Sequence, residues 1–192
     1  LSERIGLGKA TFADVLNRTV GLPRAVWGMT LAHFGLAITV AGITGAGLWE
    51  VESIQIMKRG DAVNVSGYEF VFKGADRVRG PNYTAERGRF LVKDGGKVLT
   101  ILEPERRRYL VSGQDTTEAA ILTTFMYDLY AVLGDPNGKG GWTTRLYYKP
   151  LVPWLWIGCV VMVLGGIVSL TDRRLRIGAP SRRHVVAPVP AE

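Results

Sequence analysis

The chain has 192 residues, of which 47% are apolar and 21% are charged, and its formal net charge is +7. This apolar content excludes a disordered spacer, because disorder needs low hydrophobicity and high charge. The single cysteine, Cys159, excludes an intrachain disulfide. With only two histidines, His33 and His184, the composition also argues against a metal centre built from this chain alone. The chain begins with Leu, so we expect a fragment or a processed product.

Two long uncharged segments predict membrane-spanning helices. Residues 25–49 and residues 151–171 contain no Asp, Glu, Lys or Arg. At 1.5 Å per residue the first segment extends about 37 Å, enough to cross a hydrocarbon core of about 30 Å. Buried helices of a soluble domain are the alternative, but two such segments are rare in soluble proteins.

The basic residues predict the orientation of these helices. Residues 1–24 and 172–192 together contain nine Lys or Arg and only four acids, whereas residues 50–149 contain 15 basic and 13 acidic residues. Short basic flanks mark the cytoplasmic side of a membrane, and long loops are exempt from that rule. We therefore expect both ends in the cytoplasm and the central residues on the opposite side of the membrane, which is the periplasm if the source is a Gram-negative bacterium. The charge then indicates contact with lipid headgroups, and we expect no nucleic acid partner.

The predicted organisation has five parts along the chain: a cytoplasmic segment (1–24), a transmembrane helix (25–49), a periplasmic β-rich domain (50–149), a second transmembrane helix (150–171) and a flexible cytoplasmic tail (172–192). Alternating apolar residues predict antiparallel strands in the central domain, arranged as a sandwich or barrel. Asp94-Gly95-Gly96 predicts a hairpin turn, and residues 134–141 predict a longer one. We also expect a bulge at Gly67 and a short helix over residues 116–126.

His33 is the candidate ligand of a cofactor. It lies inside the first uncharged segment, among the small residues Gly28, Ala32, Gly35 and Ala37. An imidazole in hydrocarbon normally faces a helix bundle or a cofactor, and it is one axial ligand type for haem iron. Small neighbours allow a flat macrocycle or another helix to approach closely. A hydrogen bond between His33 and a backbone carbonyl or hydroxyl of a neighbouring helix is the alternative, and the residues alone leave both open.

Other polar residues give weaker signals. The run Glu103-Pro104-Glu105-Arg106-Arg107-Arg108 is a dense charge cluster on the central domain. It is either a solvated face or a docking surface for a partner. Cys159 fits a packing role in the second helix, and His184 fits a solvated position in the tail. No glycine-rich phosphate loop and no Ser/His/Asp arrangement is visible in the sequence.

Several segments together resemble a known family. In chain order they are MTLAHFGLAITVAGI (29–43), EAAI (118–121), DLYAVLG (128–134), WTTRLYYKP (142–150) and WLWIGCVVMVLGGIVSLTDRR (154–174). In this order they resemble the C-terminal part of the CcmF/NrfE family of bacterial cytochrome c maturation proteins. The resemblance covers residues 22–175. The tryptophan-rich segment and the two periplasmic histidines of that family precede this part and are not in the chain.

The resemblance implies a component of a haem lyase in the bacterial inner membrane. Members of the family attach haem to exported apocytochromes, receive it from the chaperone CcmE, and work with CcmH/CcmI partners. They also hold a haem b between two transmembrane histidines. His33 matches the second of these within MTLAHFG, and its partner would come from an upstream helix. A non-catalytic assembly subunit, anchored by its helices and binding partners through the β domain, is the alternative function.

Overall fold

The computed structural model describes residues 22–172, which form two helices and ten strands. The elements in chain order are α1 (Arg24–Leu48), β1 (Val51–Lys58), β2 (Ala62–Val65), β3 (Tyr68–Arg79), β4 (Tyr83–Asp94), β5 (Lys97–Leu102), β6 (Glu105–Tyr109), β7 (Asp115–Glu118), β8 (Ala120–Thr123), β9 (Tyr127–Pro136), β10 (Gly141–Pro150) and α2 (Val152–Leu170). The predicted tail and most of the basic flanking residues lie outside the described residues.

Both helices are long and apolar enough to cross a membrane. Residues 22–36 and 159–172 form one compact unit, and Ala37–Gly158, which contains the β domain, forms another. In the first unit α1 and α2 meet at glycines, because Gly28 and Gly165 have no side chain to keep the two backbones apart. The carboxylate of Asp172, just after α2, accepts a hydrogen bond from the amide of Ala25 at 3.0 Å. A carboxylate there satisfies one of the free amides at the start of α1.

The strands form two antiparallel sheets. One has the order β1-β10-β9-β8, and the other has the order β2-β3-β4-β6-β7 with β5 also paired to β4. Large apolar side chains from both sheets are fully buried and form one core between them. These are Met57, Val65, Phe70, Phe72, Phe90, Val92, Leu129, Leu133 and Leu146. The predicted fold class of two apolar helices flanking an antiparallel β domain is confirmed, and the domain is a β-sandwich.

Two hairpin turns that the sequence predicted are present. Gly95 and Gly96 have φ angles of +53° and +85°, and Asp94 pairs with Lys97 across the turn. Two positive φ angles in succession match the twist of a tight hairpin, which explains the two glycines. The longer turn between β9 and β10 is closed by Asn137, whose side-chain oxygen accepts hydrogen bonds from the amides of Lys139 and Gly141 at 2.9 and 2.8 Å.

The predicted bulge at Gly67 is wrong. Ser66 and Gly67 have φ angles of +52° and +91° and form the two-residue turn between β2 and β3. The irregularity of β3 lies instead between Phe72 and Ala75, where Gly74 has a φ of +105°. The glycine between the two strands therefore belongs to a turn and not to a bulge. The turn is stabilised by Asn64, whose side-chain oxygen accepts a hydrogen bond from the Gly67 amide, and in it Ser66 also has a positive φ.

The predicted helix over residues 116–126 is also wrong. The segment forms β7 and β8, which belong to different sheets, so the chain changes sheets at Ala119. Its threonines and isoleucine favour extended backbone. β7 pairs antiparallel with β6, and β8 pairs antiparallel with β9. Each partner is the adjacent strand along the chain, so the segment contributes one arm to each of two hairpins, and this strand pairing outweighed the local pattern.

Candidate functional site

His33 lies on α1 with its side chain exposed in the described part of the chain. Its Nδ1 atom is 2.8 Å from the carbonyl oxygen of Met29, one turn earlier in the same helix. A carbonyl oxygen only accepts hydrogen bonds, so Nδ1 carries the proton in this contact. The neutral ring then has its lone pair on Nε2. This is the tautomer in which imidazole binds a metal through Nε2 while its other nitrogen is held by a hydrogen bond.

The small residues near His33 serve packing between helices. Gly28 and Ala32 contact α2 at Gly165, and Gly35 is buried. His33 is five residues after Gly28, which at 100° per residue places it about 140° around α1 from that contact. Its side chain therefore points away from α2. The sequence suggested that these small residues allow either a flat macrocycle or another helix to approach closely. The structure shows a neighbouring helix there.

His33 stands apart from other metal-binding side chains. Across residues 22–172, no three His, Cys, Asp or Glu side chains are grouped so that they could hold a metal ion. Cys159 is a free, partly buried thiol, and His184 lies outside the described residues. Within the described chain, a cofactor ligated by His33 would need its second ligand from elsewhere.

The charge cluster on β6 is paired internally. Arg106 lies 2.8 Å from Asp135 and 3.4 Å from Asp115, and Arg108 also faces Asp115. The two arginines lie on β6, and the two acids lie on β7 and at the end of β9. Because acids face the arginines at these distances, the positive charge is compensated on the β domain itself. This pairing favours the interpretation of the run as a solvated structural face.

Glu105 is the buried centre of this cluster. Its carboxylate accepts hydrogen bonds from Arg87 and Arg107, each at 2.7 Å. Burial by itself would raise the pKa of Glu105, but the hydrogen bonds from Arg107 and Arg87 outweigh it and lower the pKa below its ordinary value. The guanidinium of Arg107 also lies 4.6 Å from the ring centre of Tyr83. These contacts join β4 to β6 and serve the stability of the sandwich.

A second polar group lies where the sandwich meets the helices. Lys149 Nζ is 3.1 Å from Glu50 Oε1 and lies above the rings of Tyr130 and Tyr147, at 5.6 and 5.2 Å. Lys149 is also directly opposite Asp128 on the neighbouring strand. We call Glu50, Lys149 and Asp128 the charged row. Sequence reasoning missed it because its members come from three segments that only the strand register brings together.

Asp128 is the unusual member of the charged row. Its side chain is 4% exposed, and its Oδ1 atom has no hydrogen-bond partner, while Oδ2 accepts a hydrogen bond from the Tyr130 hydroxyl at 3.4 Å. Burial raises the pKa of Asp128, and the polar hydroxyls of Thr123 and Tyr130 nearby offset this only in part. A buried carboxyl with a free oxygen holds a proton more readily than an exposed one.

The β-sandwich matches a known family. The family model described as the CcmF C-terminal beta-sandwich covers residues 48–150, which is more than half of the chain. The chain belongs to the CcmF family. The cytochrome c-type biogenesis protein CycK of Bradyrhizobium diazoefficiens is 44% identical over 180 residues, 94% of this chain and 27% of that protein. The cytochrome c-type biogenesis protein ccl1 of Rhodobacter capsulatus is 45% identical over 170 residues, 88% of this chain and 26% of that protein.

A solved structure has the same fold. The chain is similar to the cytochrome c heme lyase CcmF with a TM-score of 0.64 and 20% identity, over 89% of this chain and 27% of that one. At this identity the similarity shows the fold alone. The chain spans about a quarter of the length of these CcmF-family proteins. The names of these relatives place them in cytochrome c-type biogenesis, and the part that this chain plays is a matter for proposal.

Proposed function

We propose that this chain is the C-terminal portion of a CcmF-type haem lyase of cytochrome c maturation, and that His33 supplies one axial ligand to a haem b in the membrane. The observation that carries the proposal is the hydrogen bond from His33 Nδ1 to the Met29 carbonyl. In the neutral ring, donation from Nδ1 makes Nε2 the atom that carries the lone pair, on a helix that can cross a membrane. Neutral imidazole is one of the common axial ligands of haem iron.

The placement of His33 fits a ligand that acts with another helix. The contacts at Gly28 and Gly165 put α2 on one side of α1, and His33 points away from it. An upstream helix carrying the second histidine would meet this open face. Buried between two imidazoles, the haem would transfer single electrons. The residues of this chain would hold it: His33 as ligand, and Met29 by fixing the ring and its tautomer through the carbonyl.

The β-sandwich is proposed as the periplasmic part of the same protein. It would provide surface for the haem chaperone CcmE, for CcmH/CcmI-type partners and for the apocytochrome, while α1 and α2 lie in the inner membrane. Support comes from the family match over residues 48–150 and from the basic flanks of the two helices. Since the arginines of β6 face acids on the same domain, we do not assign haem propionates to them.

Replacing His33 in the full-length parent protein tests the ligand. We expect His33→Ala to lose the sharp visible bands of six-coordinate ferrous haem b and to lower cytochrome c maturation. Thr30→Ala is the matched control, because Thr30 lies one turn earlier on α1 and its hydroxyl also bonds to a carbonyl four residues back, at 2.9 Å from Val26 O. Added imidazole should restore the bands in His33→Gly. An unchanged spectrum in His33→Ala would overturn the assignment and favour the anchored assembly subunit.

A further inference from the structure

The turn between β8 and β9 carries two large exposed apolar side chains. Phe125 is 67% exposed and Met126 is 49% exposed. We propose that this turn, residues 124–127, inserts Phe125 and Met126 into the interface of the lipid bilayer that α2 crosses. We call it the interfacial turn. The inference rests on the membrane crossing proposed above, and it adds a lipid-binding surface on the β-sandwich itself.

The interfacial turn is held in a defined conformation. The amide of Thr124 bonds to the carbonyl of Tyr127 at 2.9 Å, and the Thr124 hydroxyl is 2.7 Å from the same carbonyl. The Tyr127 amide donates back to that hydroxyl at 3.1 Å. Side-chain bonds of this kind stabilise a tight turn. Phe125 and Met126 are therefore displayed at its tip without the conformational freedom of a long loop.

The interfacial turn is fastened to the start of α2. The Leu151 amide donates to the carbonyl of Met126 at 2.7 Å, and the indole Nε1 of Trp154 donates to the carbonyl of Phe125 at 3.1 Å. The rings of Phe125 and Trp154 pack with their centres 5.7 Å apart. Two hydrogen bonds and a ring contact fix the depth of the turn relative to the first turn of the helix.

The length of α2 sets that depth in the membrane. Its 19 residues extend about 28 Å, close to the hydrocarbon thickness of about 30 Å. The whole length of α2 is therefore needed to cross the hydrocarbon core. The first turn of α2 must then lie at the boundary between acyl chains and headgroups. Trp154 is there, where tryptophan is enriched in membrane proteins, and Phe125 lies beside it. Phe125 therefore reaches the same boundary.

The ion pair of Lys149 and Glu50 gives the water side of this boundary, since both side chains are partly exposed. Lys149 lies opposite Asp128 in the strand register, and the next pair toward the helices is Pro150 with Tyr127, after which the interfacial turn begins. Residues 124–127 contain no charge. The surface thus changes from an ion pair to uncharged side chains within a few residue steps, as expected for a domain that rests on a bilayer.

Lipid is the occupant that this surface fits. Phe125 and Met126 are exposed beside the first turn of α2, and α2 also carries exposed apolar side chains, among them Trp156, which is 67% exposed. An aromatic ring with an adjacent thioether inserts readily among acyl chains and headgroups, and contiguous exposed apolar surface is otherwise avoided. The phospholipid that solvates α2 would cover the interfacial turn as well.

Spin-label accessibility in vesicles of phosphatidylcholine and phosphatidylglycerol tests the proposal. The native cysteine is removed by Cys159→Ser, and a nitroxide is attached to Phe125→Cys in the full chain. Val163→Cys on α2 reports the span itself, and Val111→Cys is the matched control, because Val111 is 97% exposed near the turn between β6 and β7. Oxygen collects in lipid and a nickel chelate stays in water. The ratio of their effects on the nitroxide signal therefore measures how deeply the label lies in the bilayer.

We expect the label at position 125 to favour oxygen over the nickel chelate at least fivefold more than the label at position 111. Equal chelate access at both positions would overturn the proposal, as would protection of position 125 from both reagents, which indicates cover by protein. If the chelate reached the label at position 163, α2 would not cross the bilayer, and the membrane crossing on which this inference rests would itself be wrong. Met126→Cys repeats the measurement in case the label at position 125 disturbs the ring contact with Trp154.

Discussion

Gly28 and Gly165 face each other across the two apolar helices, and neither has room for a side chain. A Cβ on Gly28 would lie 2.6 Å from the carbonyl oxygen of Gly165, and a Cβ on Gly165 would lie 2.8 Å from the carbonyl oxygen of Gly28. These obstacles are backbone atoms, which cannot turn aside as a side chain can. The helices approach closely here because both residues are glycine.

Adding one methyl group at this contact should therefore separate the helices. We expect Gly165→Ala to destabilise the packing by about 1–3 kcal/mol, the usual cost of overpacking. Gly166→Ala is the control, because a Cβ at Gly166 meets nothing within 4 Å. Alanine there should be neutral or stabilising, since it favours helix over glycine by up to about 1 kcal/mol. Unfolding in detergent measures both, and equal stability of the two variants would contradict the packing.

Removing the charge of Glu105 should weaken the sandwich. Glu105→Gln leaves Arg87 and Arg107 without their shared carboxylate, and we expect a loss of about 1–3 kcal/mol in the free energy of unfolding. Glu103→Gln is the control, because Glu103 is more exposed and lies 3.8 Å from Arg87. Exposed pairs contribute about 0–1 kcal/mol. Urea unfolding followed by tryptophan fluorescence compares them.

The pKa of Glu105 also predicts a dependence on pH. Its folded pKa is lowered, so the ionised carboxylate stabilises the fold above the unfolded pKa of about 4.5, and this stability is lost as the pH falls through the lower folded value. The difference in stability between wild type and Glu105→Gln should therefore be constant near neutral pH and shrink in acid. A difference that grows as the pH falls would contradict this.

Asp128 should show the opposite dependence. Its folded pKa is raised by burial, so between the unfolded value of about 3.8 and the folded value the unfolded chain loses its proton first. Wild type should lose stability relative to Asp128→Asn as the pH rises through this window, and the difference should then level off. Denaturation at several pH values between about 3 and 7 measures it. A pH-independent difference would mean that Asp128 ionises normally in the folded state.

The two ends of the helix pair should lie on the cytoplasmic side. The hydrogen bond between the Ala25 amide and Asp172 joins the start of α1 to the end of α2, so both belong to one face of the membrane. The basic flanks assign that face to the cytoplasm. Alkaline phosphatase, which folds only in the periplasm, should be active when fused after Lys97 and inactive when fused after Arg176. The reverse pattern would invert the topology.

Features set by local chemistry were readable from the sequence. Uncharged segments of more than 20 residues predicted both helices, because a single segment can satisfy its own backbone groups in lipid only as a helix. Paired glycines gave the turn at Gly95 and Gly96, because few other residues accept two positive φ angles in succession. His33 was found in the same way, since an imidazole within an apolar segment stands out. Its proposed role as a haem ligand stays a prediction.

Features set by strand pairing and by distant partners were decided by the tertiary structure. Residues 116–126 became strands because they pair with the neighbouring strands β6 and β9, which the local pattern of the segment does not reveal. Arg106 lies close to acids on β7 and at the end of β9, so the charge of a run that the sequence left open between a solvated face and a docking surface is compensated. The charged row combines Glu50, Asp128 and Lys149, which are separated by up to 99 positions in the chain. Side-chain periodicity fixes which face of a strand a residue occupies, but only the register of pairing fixes its neighbours.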